Sequence, residues 1–269
     1  MRLFLVAVFA LTPCLILTAN ADETQIHSME ELLQIASRRE QEIRKTVQDY
    51  TCLIVKRERI DGKLQETRFI EARVRPESDR NGHTSPLAVR LTFRAPKQIV
   101  GRTVLFVEGE NDGKMIVKRG GRRLSNVTVK VDPDSEIARN ETLMQITHLG
   151  FDGMVGELVS QIRKDIAADP SGNNTILNLK REATINKRPC TAIEIVHPQR
   201  EKGLLYHKAQ FFIDNEFHLP VRVAAYDWPK SDEAKPKLMA EFTYTKVKIN
   251  VGLSDAEFDP EVLKTASRK

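Results

Sequence analysis

The feature that most constrains the fold is a series of short apolar segments separated by turn-like residues in the last quarter of the chain, residues 210–260. Short runs that are rich in Val, Ile, Phe and Tyr and bounded by turn residues are typical of β-strands. Three segments in or next to this region, Leu205–Asp214, Leu219–Asp227 and Leu238–Ile249, have this character. They predict a strand, a tight turn, a second strand, a long loop and a third strand.

The third of these strands changes phase along its length. One face carries Leu238, Ala240, Phe242 and Tyr244, whereas the other carries Val247 and Ile249. A change of phase predicts a β-bulge near Thr245 or Lys246, and bulges bend the sheet that contains them. The pattern therefore predicts a long and curved sheet.

Similar short strands are predicted upstream, from Tyr50 to Lys130 and from Thr175 to His197. A hairpin is predicted at Asp61-Gly62, because this dipeptide favours the turn that joins two antiparallel strands. Two segments have helical periodicity instead, at about 28–48 and 152–168. The first begins with the capping box Ser28–Glu31.

These elements predict an α+β fold with a single curved antiparallel sheet. The sheet is expected to form a half-barrel of about ten strands wrapped around two main helices. No internal repeat or linker divides the sequence, so we expect one domain over residues 22–260 and a short C-terminal tail at 261–269.

Residues 1–21 are typical of a cleaved signal peptide. Arg2 precedes the apolar run Leu3–Leu17, and Ala19-Asn20-Ala21 forms a cleavage site of the small-x-small type. The run is shorter than the roughly 20 apolar residues that span a membrane. We therefore expect export, without a transmembrane span in the mature chain.

The charge distribution argues against nucleic acid as a partner. The formal net charge is only +5, and the basic residues are spread along the chain. Nucleic-acid binding would favour a clustered basic stripe with interleaved aromatic residues. Contact with an anionic membrane surface remains compatible with this mild excess.

Two cysteines, Cys52 and Cys190, follow the predicted signal peptide. Each lies near the beginning of a predicted strand, and exported proteins often pair such residues. We predict a Cys52–Cys190 disulfide, with two separate buried thiols as the alternative. A redox-active pair is disfavoured because the C-x-x-C spacing is absent.

Several segments, in order along most of residues 40–260, resemble a bacterial family catalogued as domain of unknown function 1571 (DUF1571). That family in turn resembles the LolA-like superfamily of outer-membrane lipoprotein carriers. The segments are Asp49–Cys52, Lys56–Arg59, Val74–Pro76, Arg94–Pro96, Gly101–Lys114, Ile146–Gly150, Arg188–Cys190 and Gln210–Pro260.

The resemblance implies a curved antiparallel sheet around helices, with a cavity between them that accepts acyl chains. Together with the predicted export, it implies a location in the periplasm or cell envelope of a bacterium. The partners it implies are a lipid, an acylated protein or another envelope protein. The candidate cavity lining comprises apolar residues on strands and helices, which could equally form a filled core. They are Leu91, Phe93, Leu105, Phe211, Ile213, Phe242, Tyr244, Met154, Leu158 and Ile162.

We find no sequence motif for catalysis, for a cofactor or for a metal. The six histidines are scattered without metal-ligand spacing. The leading hypothesis is a non-catalytic envelope protein that binds a hydrophobic ligand, such as a lipid or a lipoprotein acyl chain. The alternative is a non-catalytic interaction or sensor module whose core is closed.

The signal-peptide prediction can be checked on protein purified from its native envelope. Cleavage after Ala21 gives a mature chain that begins at Asp22, which N-terminal sequencing and intact mass would both report. Recovery of the full-length chain from the envelope would contradict the prediction.

Overall fold

A computed structural model describes residues 26–80, 83–121, 127–231 and 234–265. The predicted signal peptide lies outside the described residues, as does the end of the predicted C-terminal tail.

Both predicted main helices are confirmed. The first is capped by Ser28, whose hydroxyl accepts a hydrogen bond from the Glu31 amide at 3.1 Å. Two further helices have a single turn each. The helices are α1 (Met29–Thr46), α2 (Glu136–Arg139), α3 (Phe151–Ala168) and α4 (Val262–Thr265).

Twelve strands within the described residues form one curved antiparallel sheet, compared with about ten predicted. Two others, β4 and β5, form a separate hairpin. The strands are β1 (Tyr50–Ile60), β2 (Lys63–Leu64), β3 (Arg68–Arg75), β4 (Ser78–Arg80), β5 (His83–Ser85), β6 (Ala88–Ala95), β7 (Thr103–Val107), β8 (Met115–Lys118), β9 (Thr128–Val131), β10 (Ile176–Ile185), β11 (Arg188–Val196), β12 (Lys208–Asp214), β13 (Pro220–Asp227) and β14 (Lys237–Ile249).

The sheet consists of two meanders joined along one seam. Its order is β10-β11-β12-β13-β14-β1-β3-β6-β7-β8-β9, with β2 beside β1. The seam is the pairing of β14 with β1, and the sheet ends at β9 and β10 without closing. The predicted bulge lies in this seam, because Thr51 pairs with Lys248 whereas Leu53 pairs with Thr245. Lys246, at the bulge, has a positive φ of 53°.

One face of the sheet carries α1 and α3, which pack against each other and against the strands. Phe151, the first residue of α3, is 1% exposed. Its ring lies 4.4 Å from that of Tyr50 and 5.4 Å from that of Tyr244, measured between centroids. This aromatic group attaches α3 to the seam.

The C-terminal segment covers the opposite face of the sheet. Phe258 and Leu263 are buried there with Leu105 and Ala88 in a separate apolar cluster. Lys118 Nζ donates a hydrogen bond of 2.5 Å to the carbonyl of Leu263. The predicted tail is therefore packed against the sheet at Val262 and Leu263.

The predicted Cys52–Cys190 disulfide is wrong in this structure, where both cysteines are free and buried. Cys52 lies on β1 and Cys190 on β11, four strands away in the sheet order. At about 4.8 Å per strand, the separation along the sheet is roughly 19 Å. A disulfide requires Cα atoms within about 7 Å. The sequence indicated that both cysteines lie in strands. It did not indicate how many other strands lie between those two in the sheet.

The two thiols should resist labelling until the protein unfolds. Burial raises the pKa of the Cys52 thiol, which keeps it protonated and unreactive. We expect iodoacetamide to label neither cysteine quickly in the native protein and both in denaturant without a reductant, as mass spectrometry would show. Unreduced, denatured mature protein that takes up no label would contradict the structure.

Candidate functional site

A cavity of about 250 Å³ lies on the helix-bearing face of the sheet, away from α1 and α3. Its floor is formed by the seam and by the meander that runs from β3 to β9. Its roof is the segment 133–149, which includes α2 and precedes α3. The main floor residues are Ile54, Ile70, Leu91, Phe93, Val104, Met115, Val117, Phe242 and Tyr244.

The buried part of the cavity wall is mainly apolar and includes three aromatic side chains. Phe93, Phe242 and Tyr244 are all less than 10% exposed. Tyr244 also contacts Phe151, so the aromatic group of α3 lies behind this part of the wall. Burial raises the pKa of Tyr244 well above its ordinary value, so its hydroxyl stays neutral. That hydroxyl lies 3.7 Å from the sulfur of Met144 in the roof.

A buried ion pair attaches the roof to the sheet. Lys56 Nζ lies 2.7 Å from Glu58 Oε2, and both residues are on β1. Thr142 Oγ1 accepts a hydrogen bond from Lys56 at 2.7 Å and donates one to Glu58 at 2.9 Å. The Leu143 amide donates to the same carboxylate at 2.8 Å. Burial lowers the pKa of Lys56, although the Glu58 carboxylate acts in the opposite direction.

A second polar attachment lies at Glu141, the roof residue before Thr142. Arg68 approaches its carboxylate at 3.1 Å and donates a hydrogen bond of 2.9 Å to its carbonyl oxygen. Arg102 approaches the same carboxylate at 3.1 Å. The three consecutive roof residues 141–143 therefore receive polar contacts from β1, from β3 and from Arg102, which precedes β7.

The mouth of the cavity lies between the β8–β9 edge of the sheet and α2. Here the lining residues are exposed, with Val129 at 42% and Ile137 at 69%. Arg119 follows β8 and Arg139 ends α2, and both are exposed lining residues. The cavity therefore runs from an exposed mouth with apolar and cationic side chains to a buried aromatic end.

Four of the ten residues predicted from sequence lie on the cavity wall, and they are Leu91, Phe93, Phe242 and Tyr244. Leu105 lies on the opposite face of the sheet, under the C-terminal segment. The strand register explains this placement, because Leu91 pairs with Val104 and paired residues share a face. Val104 therefore lines the cavity in place of Leu105.

The other five predicted residues belong to the packed core rather than to the cavity wall. They surround the contact between α3 and the C-terminal meander, where Met154 and Ile162 are buried. The full set is Met154, Leu158, Ile162, Phe211 and Ile213.

Sequence reasoning missed the floor residues Ile54, Ile70, Val104, Met115 and Val117, and the entire roof. A signal for Ile70 existed, because apolar and charged residues alternate strictly over residues 70–75. The roof gave no comparable signal. Its residues are mostly irregular, and neither a strand period nor a helix period marks them.

Among the described residues, no group of three or more His, Cys, Asp or Glu side chains is arranged to hold a metal ion. None of the described helices combines the length and the apolar character needed to cross a membrane.

Comparison with known proteins gives a family match over most of the chain. The family described as Protein of unknown function (DUF1571) matches residues 47–264, which confirms the resemblance that the sequence segments indicated. None of the curated proteins matches the sequence.

Several solved structures are similar in fold. A DUF1329 family protein from Desulfovibrio piger is 16% identical, with a TM-score of 0.39, over 88% of this chain and 100% of that one. The lipoprotein LppX of Mycobacterium tuberculosis is 15% identical, with a TM-score of 0.43, over 85% and 98%. A LolA superfamily protein from Nitrosomonas europaea is 9% identical, with a TM-score of 0.34, over 86% and 98%.

The roof attachment generates a stability prediction. Glu58→Ala should lower the free energy of unfolding by about 3–5 kcal/mol, because it leaves Lys56 buried without its partner. The double variant Lys56→Met/Glu58→Leu should recover much of this loss, since no buried charge is then left unpaired. Urea denaturation of the wild type and the two variants measures both effects. A double variant that is no more stable than Glu58→Ala would contradict the prediction.

Proposed function

Since the chain belongs to the DUF1571 family, whose function is unknown, we propose a function from its own cavity. The protein binds a hydrophobic ligand, the acyl chain of a lipid or of a lipoprotein, between the sheet and the roof segment. It does so as a non-catalytic, exported protein of the bacterial cell envelope.

The observation that carries the proposal is an apolar cavity with an exposed apolar mouth. The wall is mostly aliphatic and aromatic, and exposed Val129 and Ile137 line it at the entrance. Leaving such surface unburied forgoes about 25 cal/mol per Å² of apolar area. A ligand chain that covers the surface would recover this free energy on binding.

The size of the cavity restricts the ligand. An apolar cavity of about 150 Å³ is large enough for benzene. The cavity here measures about 250 Å³, which favours one short or medium chain and not several chains together. A larger acylated molecule would place one chain inside and leave the remainder at the mouth.

The cellular location follows from the sequence. Arg2, the apolar run Leu3–Leu17 and the site Ala19-Asn20-Ala21 support export. An envelope protein encounters lipids and acylated proteins, the two ligand sources that the cavity chemistry favours. Lipid extraction and native mass spectrometry of envelope-purified protein would identify the bound species.

One observation favours the second candidate, a closed interaction or sensor module. The part of the helix-bearing face beneath α3 is packed, with Ile162 and Ile195 fully buried. On this alternative the remaining cavity is only a packing defect, and the function lies on a surface that contacts an envelope protein. Recovery of a stoichiometric envelope partner, without bound lipid, would favour it.

Filling the cavity should abolish ligand uptake. Val117 lines the floor and is partly exposed, so Val117→Trp places an indole in the cavity with limited disturbance of the core. We expect at least a roughly tenfold loss of affinity for a fluorescent fatty-acyl probe, because the chain and the indole would occupy one volume. Fluorescence titration measures the affinity for the probe, and circular dichroism checks that the variant is folded.

The matched control is Val251→Trp, since Val251 is 43% exposed and lies outside the cavity. It should bind the probe like the wild type. Equal binding by the wild type and Val117→Trp would remove the cavity as the ligand site. Absence of any probe uptake by delipidated wild type, together with no lipid in the native preparation, would reject the proposed function.

A further inference from the structure

We infer that the mouth of the cavity recognises an anionic headgroup, so that the ligand is a single-chain amphiphile with a carboxylate or phosphate at one end. This inference rests on the proposed function and specifies the class of its ligand. The chain would lie against the buried aromatic end, and the headgroup would lie between Arg119 and Arg139.

The cavity lining carries more cationic than anionic side chains. It contains five cationic side chains but only one carboxylate, that of Glu141. A cavity for a neutral hydrocarbon needs no such excess, because cations at its wall would only add a desolvation cost. The excess instead favours a ligand with negative charge.

Three of the five cations already have partners. The Glu58 carboxylate lies 2.7 Å from Lys56 Nζ, and Glu141 lies 3.1 Å from both Arg68 and Arg102. These contacts hold the roof in place and account for Glu141 fully. They leave no carboxylate in the lining for Arg119 or Arg139.

Arg119 and Arg139 occupy the place where a headgroup would lie. Neither guanidinium has an ion pair or a side-chain hydrogen bond with any residue that the structure describes. Arg119 comes from the sheet side of the mouth and Arg139 from the roof side. A guanidinium donates two parallel hydrogen bonds to a carboxylate or phosphate, so an anion between them could contact both.

The difference in exposure between the mouth and the aromatic end determines which way round the ligand binds. Val129 and Ile137 are exposed and line the same cavity as the two arginines, whereas Phe242 and Tyr244 are buried. A headgroup that remains in water at the mouth keeps most of its hydration, and the chain enters the apolar end. Burying the charge at the aromatic end would cost far more free energy.

The test compares amphiphiles that share one chain and differ only in the headgroup. Dodecanoate, dodecyl phosphate, dodecanol and dodecyltrimethylammonium are titrated, below their micelle concentrations, against the mature protein loaded with the neutral probe N-phenyl-1-naphthylamine. We expect both anions to displace the probe at about tenfold lower concentration than dodecanol, and the cation to be weakest. Inorganic phosphate alone should not displace the probe.

The variants assign the preference to the two arginines. Arg119→Gln/Arg139→Gln should lose the roughly tenfold advantage of the anions and leave dodecanol binding unchanged. Arg163→Gln, an exposed arginine on α3 outside the cavity, is the matched control and should behave like the wild type. Added salt should weaken anion binding to the wild type and not to the double variant.

The outcomes separate the two proposals. If dodecanol binds as tightly as the anions, or if the double variant keeps the preference, the headgroup inference is overturned while the proposed cavity function stands. If the probe itself does not bind, or if none of the dodecyl compounds displaces it, the proposed function fails and the headgroup inference fails with it. A preference for dodecyl phosphate over dodecanoate would assign the headgroup to a phosphate.

Discussion

The pairing of β14 with β1 is the interaction on which the rest of the structure depends. It joins two meanders whose strands otherwise pair with close neighbours in the sequence. The seam sets Ile54 opposite Tyr244 and Lys56 opposite Phe242, and all four residues line the cavity. Because these strands lie nearly 200 residues apart, the floor of the cavity exists only after a long loop has closed. The entropy of closing that loop is offset by the core that the seam shares with α1 and α3.

The helix-bearing face is divided into a packed part and a part with a cavity, and Phe151 lies at the boundary. Its ring contacts Tyr50 on one side and Tyr244 on the other, so α3 begins where the cavity ends. Beneath α3 a regular helix places apolar side chains at every turn and fills the space. Beneath the roof an irregular segment cannot place them as densely, and the cavity remains.

Charge plays two different roles around this cavity. The Lys56–Glu58 pair and the two arginines on Glu141 fasten the irregular roof to the sheet, in place of the apolar packing that a helix would supply. The guanidiniums at the mouth have no such structural task in the described residues. This division is the physical basis for assigning Arg119 and Arg139 to a ligand and the other cations to the fold.

Local patterns in the sequence determined the helices α1 and α3, most of the strands and the bulge at Lys246, because each depends on residues close together in the chain. The apolar character of Leu91, Phe93, Phe242 and Tyr244 was also visible there. The tertiary structure alone decided which face Leu105 occupies, how far Cys52 lies from Cys190, and that segment 133–149 covers the cavity. These outcomes depend on strand order and register between distant segments, and the energy that fixes a register comes from the partner strand and not from the strand itself.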